Sequence, residues 1–109
     1  MTYDEGLASR VRTILKGTRG LQERKMFGGV GFLLRGNMAC GVHKDSLLVR
    51  VEPKTTPSAL QRSHTRPFDI TGRALLGWVL VSSEGCRSEQ VLSRWVRESV
   101  AFARSLPPK

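Results

Sequence analysis

The chain has 109 residues, 39% of them hydrophobic and 25% charged. That is the make-up of one ordinary globular domain, long enough to bury about two-thirds of its unfolded surface in a single core. No apolar run approaches the roughly 20 residues that span a bilayer. Asp4 and Glu5 stand where an export leader would be basic and then apolar, so the cytoplasm is the expected compartment.

The charge balance is the unusual quantity. Eighteen Lys and Arg face nine Asp and Glu, a net charge of +9. Arginines outnumber lysines, 13 to 5, and arginine grips phosphate or carboxylate with two hydrogen bonds. These residues are scattered, with no run of five or six like charges to mark an interaction tail.

The first helix is expected over residues 3–16. Thr2 and Glu5 have capping-box spacing, Leu7, Val11, Ile14 and Leu15 form one apolar stripe, and Gly17 ends it. Strands follow at 23–27, 30–35, 38–42 and 47–51. Gly36-Asn37 and Lys44-Asp45 supply two-residue turn signals, and Gly28-Gly29 a turn or bulge. Glycines inside strands signal a bulge or a close neighbour; a helix packed over Gly31 and Gly41 is the expected reason.

Thr56-Pro57 starts a short helix over 57–62, and Arg66-Pro67 ends it. Residues 68–73 are then an extended or looping crossover. Trp78, Val79, Leu80 and Val81 mark a strand over 77–81, and 82–85 a turn. Ser88 caps the last helix, over 88–105, with Val91, Leu92, Trp95, Val96, Ser99, Phe102 and Ala103 as its buried stripe. The order α-β-β-β-β-α-β-α defines an α+β fold: an antiparallel-dominated sheet of about five strands with flanking helices. Two-residue turns cannot host parallel crossovers.

Chemistry-bearing patterns are sparse. Gly29-Val30-Gly31 continues as strand, where a dinucleotide fingerprint would open a helix. Cys40 and His43, three apart on a strand, point to opposite faces, and His64 and Cys86 are remote. Both cysteines are expected reduced, Cys40 in the core and Cys86 in a loop. Asp45 and Asp69 are isolated carboxylates, and Asp69 suits the turn at Thr71-Gly72. Phe27, Phe32, Phe68, Phe102, Trp78 and Trp95 are expected to serve the core, with Met26 and Met38 filling gaps. No catalytic residue, cofactor or metal is expected.

Several stretches together resemble the TfoX (Sxy) N-terminal domain family. They are Lys25-Met26-Phe27-Gly28-Gly29-Val30-Gly31-Phe32, Gly36-Asn37-Met38-Ala39-Cys40-Gly41-Val42, Leu48-Val49-Arg50-Val51, His64 through Arg73 with Gly77-Trp78-Val79, and Ala101 through Pro108. The resemblance implies a secretion-chaperone-like sheet with flanking helices. It also implies kinship with cytoplasmic regulators of natural competence that act with a cyclic-AMP-responsive transcription factor. Those regulators carry a second, helical C-terminal domain; the resemblance here is to a stand-alone member without it. The family pattern supplies no catalytic residues.

The leading expectation is a non-enzymatic cytoplasmic interaction module that regulates transcription or competence through a protein partner. Exposed sheet edges make a homodimer a further expectation. One alternative is direct nucleic-acid binding, weak and salt-labile, with Arg24, Lys25, Arg35, Arg50, Arg66 and Arg73 as the contacts. The other is a small-ligand binder or enzyme with a cleft near Arg66, Asp69, Arg73 and His64.

Overall fold

A computed structural model describes residues 3–26, 28–69 and 74–109. The elements are α1 (Glu5–Leu15), β1 (Leu21–Met26), β2 (Gly29–Leu34), β3 (Asn37–His43), β4 (Ser46–Arg50), α2 (Thr56–Ala59), β5 (Thr65–Asp69), β6 (Ala74–Val81) and α3 (Glu89–Ser105). Short 3-10 turns at Pro53–Thr55 and Ser83–Cys86 precede α2 and α3. All strand pairs are antiparallel, and the sheet order is β1-β2-β3-β4-β6-β5. The fold is α+β, as the pattern of elements predicts.

The sheet has six strands rather than about five. The expected crossover at 68–73 is in part a strand, β5, paired along β6. Its sequence, Thr-Arg-Pro-Phe-Asp, hides it: only Phe68 is buried, and Pro67 cannot donate to a ladder. Both features suit an edge strand. The opposite edge, β1, is guarded by Gln22, Glu23, Arg24 and Lys25, all exposed.

Strand alternation divides the sheet into two faces. Val30, Phe32, Cys40, Val42, Leu47, Val49, Val79 and Val81 face the helices, and with Leu7, Val11, Leu15, Leu92, Trp95 and Val96 they form the main core. A bulge between Phe32 and Leu33 turns Ala39 toward the helices as well, against Leu34 and Ala103. Helices occupy this one face because their apolar stripes match it. Val91 lies outside the stripe at 42% exposure, and Phe102 is half-buried; both were expected inside it.

The caps and turns differ in detail from expectation. Asp4, whose carboxylate accepts from the Leu7 N–H at 3.1 Å, caps α1. Thr2, the expected cap, lies outside the described residues. The β2–β3 turn is centred on Arg35 and Gly36, with φ of 50° and 86°, one residue before the expected pair. Thr56 starts α2 and accepts the Gly77 N–H at 2.9 Å, which anchors β6 where Gly77 takes φ 91°. Cys86, expected in a loop, is buried in a 3-10 turn.

Ion pairs tie the helical side together. Arg12 joins Glu5 and Glu23 at 2.8 and 2.7 Å, Arg10 joins Glu89 at 2.7 Å, and Arg62 and Arg94 share Glu98 at 2.7 and 3.0 Å. The Arg12 hydrogen bonds hold Glu5 and Glu23 below the ordinary carboxylate range. Arg62 also stacks over Trp95, 3.5 Å from the ring centre.

Candidate interaction surface

Because Val30, Phe32, Cys40 and Val42 face the helices, the residues between them face away. Gly31 and Gly41 therefore belong to the opposite, open side of the sheet. The expected helix does not lie over them. Met26 and Met38 do: a Cβ on Gly31 would stand 3.1 Å from both methionine methyls, and one on Gly41 would stand 2.9 Å from Met38 Cε and 2.5 Å from the Val30 carbonyl oxygen. Glycine here lets two flexible thioethers lie flat on the backbone.

A second apolar cluster stands beside this methionine floor. Leu48, Leu80 and Phe68 are buried together, with Met38 and Trp78 packed against them. His43 meets Phe68 edge-on at 5.7 Å. Leu75, 37% exposed, stands at the rim. Between these groups runs an apolar groove of ≈ 200 Å³, lined by Met26, Met38, His43, Leu48, Phe68, Leu75 and Trp78, with Val30 and Val42. Residues on the open face of a two-layer fold are ordinarily polar. An apolar groove there is the informative departure.

One row of residues crosses all six strands of this face: Arg24, Gly31, Gly41, Leu48, Leu80 and Arg66. At a strand spacing of about 4.8 Å the two arginines stand about 24 Å apart, with the apolar strip between them. Arg50 sits in the next row, opposite Trp78. It donates to the Met38 carbonyl at 3.3 Å, and its guanidinium lies 5.3 Å from the Trp78 ring centre and 5.8 Å from that of Phe102. Arg66 donates to the Ser46 hydroxyl at 3.3 Å. Among the described residues, Arg24, Arg50 and Arg66 take part in no ion pair. On the helical side Arg10, Arg12, Arg62 and Arg94 are paired while Arg97 and Arg104 of α3 are not, so unpaired arginines occur on both faces among the described residues.

The six residues expected to contact an anion do not form one patch. Arg24, Arg50 and Arg66 share the open face. Lys25 pairs with Val30 and so belongs to the helical side of the edge strand. Arg35 occupies the β2–β3 turn, where its carbonyl accepts from the Lys109 N–H at 2.9 Å. Arg73 lies outside the described residues, as do Phe27 and the Thr71-Gly72 turn. Of the expected cleft around Arg66, Asp69, Arg73 and His64, Arg73 lies outside the described residues, and His64 lines a groove with Glu84, Gly85 and Trp95 that does not include Arg66 or Asp69. The methionine floor was missed because Met26 and Met38 read as gap-fillers. Strand parity alone would put Met38 and Gly41, three apart, on opposite faces, and it is the bulge at Phe32/Leu33 that brings them together.

Two other features compete for a functional role. A larger groove of ≈ 470 Å³ between α2 and α3 contains Arg62 and Glu98, but these satisfy each other. Cys40 and Cys86 are free thiols, and burial pushes them up to about 12 and about 11. Cys40 faces the helices and His43 the open side, so the two cannot act together. Among the described residues, no three His, Cys, Asp or Glu side chains are grouped to hold a metal ion, and no helix is long and apolar enough to cross a membrane.

Helices on one side of the sheet and an apolar groove on the other complete an α+β domain. The sequence matches the TfoX N-terminal domain over residues 13–103, and the chain belongs to that family. Its fold is similar to that of the Deinococcus radiodurans protein DR2400, whose crystal structure contains a domain classed as DUF419. The two share 15% identity with a TM-score of 0.69, over 90% of this chain and 78% of that one. No curated protein matches the chain in sequence.

Proposed function

We propose that this protein is a non-enzymatic, cytoplasmic interaction module that regulates transcription or competence by holding a protein partner on the open face of its sheet. Membership in the TfoX N-terminal domain family supports a regulatory role. The observation that carries the reading is the methionine-floored groove bordered by Trp78, Leu75 and unneutralised arginines. Methionine side chains adapt to varied apolar shapes, which suits a surface that receives another molecule. Burial, which raises both thiol pKa values, supports a reading without a cysteine nucleophile.

Affinity capture from the native cytoplasm with three baits tests this reading. The wild type and Arg97→Glu, on the exposed side of α3, are expected to retain the same protein, and Leu75→Glu to lose it. Equal capture by Leu75→Glu and wild type would remove the open face from the function.

A further inference from the structure

We infer that the segment received by the open face is acidic and carries a bulky apolar anchor. The anchor sits on Met38 between Phe68 and Trp78, and its flanking carboxylates meet Arg50 and Arg66. This rests on the reading of the open face as the docking surface and adds the chemistry of its occupant.

Size sets the first limit. A groove of ≈ 200 Å³ is smaller than the roughly 300–1,000 Å³ of small-molecule sites. It fits one or two side chains, the scale of a hot-spot anchor from a peptide segment.

Charge sets the second. On the helical side Arg10, Arg12, Arg62 and Arg94 hold Glu5, Glu23, Glu89 and Glu98, while Arg97 and Arg104 stay unpaired among the described residues; what sets the open-face arginines apart is the methionine-floored groove beside them. Arg50 and Arg66 are held by neutral groups: Arg50 by the Met38 carbonyl and the rings of Trp78 and Phe102 of α3, Arg66 by the Ser46 hydroxyl. That hydroxyl also donates to Asp45 at 3.3 Å, so Arg66 is partly compensated and Arg50 is the stronger anchor. Guanidinium groups fixed this way lose little freedom when a carboxylate arrives, and their charge stays uncancelled until it does.

The same features disfavour other occupants. A second copy would bring the same unpaired arginines against each other in a chain of net charge +9. Single-stranded nucleic acid uses a series of exposed rings as stacking platforms; here Phe68 is buried and Trp78 is only half-exposed, with methionines between them and the sheet edge.

A peptide library displayed on phage, selected against the whole protein at physiological salt, tests the inference. The expected winners carry one Trp, Phe, Leu or Met flanked by Asp or Glu. Their affinity should fall at least tenfold in Arg50→Gln/Arg66→Gln and in Leu75→Glu, each checked for folding by thermal unfolding. Neutral or basic winners that still depend on Leu75 would overturn the acidic partner and leave the docking face intact. Winners indifferent to Leu75→Glu, or none at all, would remove both. Self-association abolished by Leu75→Glu, or duplex DNA bound at physiological salt through the arginines alone, would overturn the inference in favour of those occupants.

Discussion

Arg50 stands directly opposite Trp78 across β4 and β6, with its guanidinium carbon 5.3 Å from the indole ring centre. The pair places the half-exposed tryptophan of the open face beside a charge, while Trp95 is sealed in the core. The two tryptophans therefore report separate faces. In Trp95→Phe, emission from Trp78 should be readily quenched by acrylamide; in Trp78→Phe, emission from Trp95 should resist it. Equal quenching of the two variants would contradict the division of the sheet into a covered and an open side.

Gly41 has no room for a methyl group. Its Cβ would press on the Val30 carbonyl oxygen at 2.5 Å, which is backbone and cannot swing aside, and on Met38 Cε. Gly41→Ala should destabilise the protein by about 1–3 kcal/mol, the range for overpacking a tight site. Urea unfolding measures it. An unchanged midpoint would mean that β2 and β3 do not approach this closely.

Part of this was legible beforehand and part was not. Hairpin turns, apolar alternation and the Ser88 cap are local signals, so β2, β3, β4 and α3 could be placed within a residue or two from sequence. Strand β5 could not, because an edge strand needs only one buried residue and tolerates Pro67. The glycine spacing pointed to a close neighbour; alternation with Phe32 and Cys40 puts Gly31 and Gly41 on the face away from the helices, and tertiary packing supplies Met26 and Met38 as that neighbour. The arginines illustrate a different limit. All 18 basic residues look alike in the chain, and only the tertiary pairing of Glu23 with Arg12 and Glu98 with Arg62 shows which of them are already engaged.

Acid should weaken the tie between α1 and β1. The Arg12 hydrogen bond lowers the folded-state pKa of Glu23 from its ordinary value of 4.5. A lowered folded pKa contributes stability above the unfolded value and loses it as pH falls through the folded one. Glu23→Gln should therefore be less stable than wild type at neutral pH, by no more than about 0.5 kcal/mol once solvent screening of this partly exposed pair is allowed for. Below pH 4.5 the difference should close. A gap that persists at low pH in urea unfolding would show that the ion pair is not its source.

The two thiols should be inert in the folded protein. With Cys40 pushed up to about 12 and Cys86 to about 11 by burial, neither presents thiolate or a route for reagent at mild pH. A disulfide-exchange reagent should label neither promptly under native conditions and both in denaturant. Prompt labelling of Cys86 would mean that the 3-10 turn at Ser83–Cys86 opens readily.

The central claim is that the open face is where this protein meets its partner. A photo-crosslinking amino acid placed in living cells at Leu75, on the groove rim, and separately at Val91, exposed on α3, tests it most directly. The account predicts a discrete adduct from position 75 and none from 91. Adducts from 91 alone, or from neither position, would contradict it.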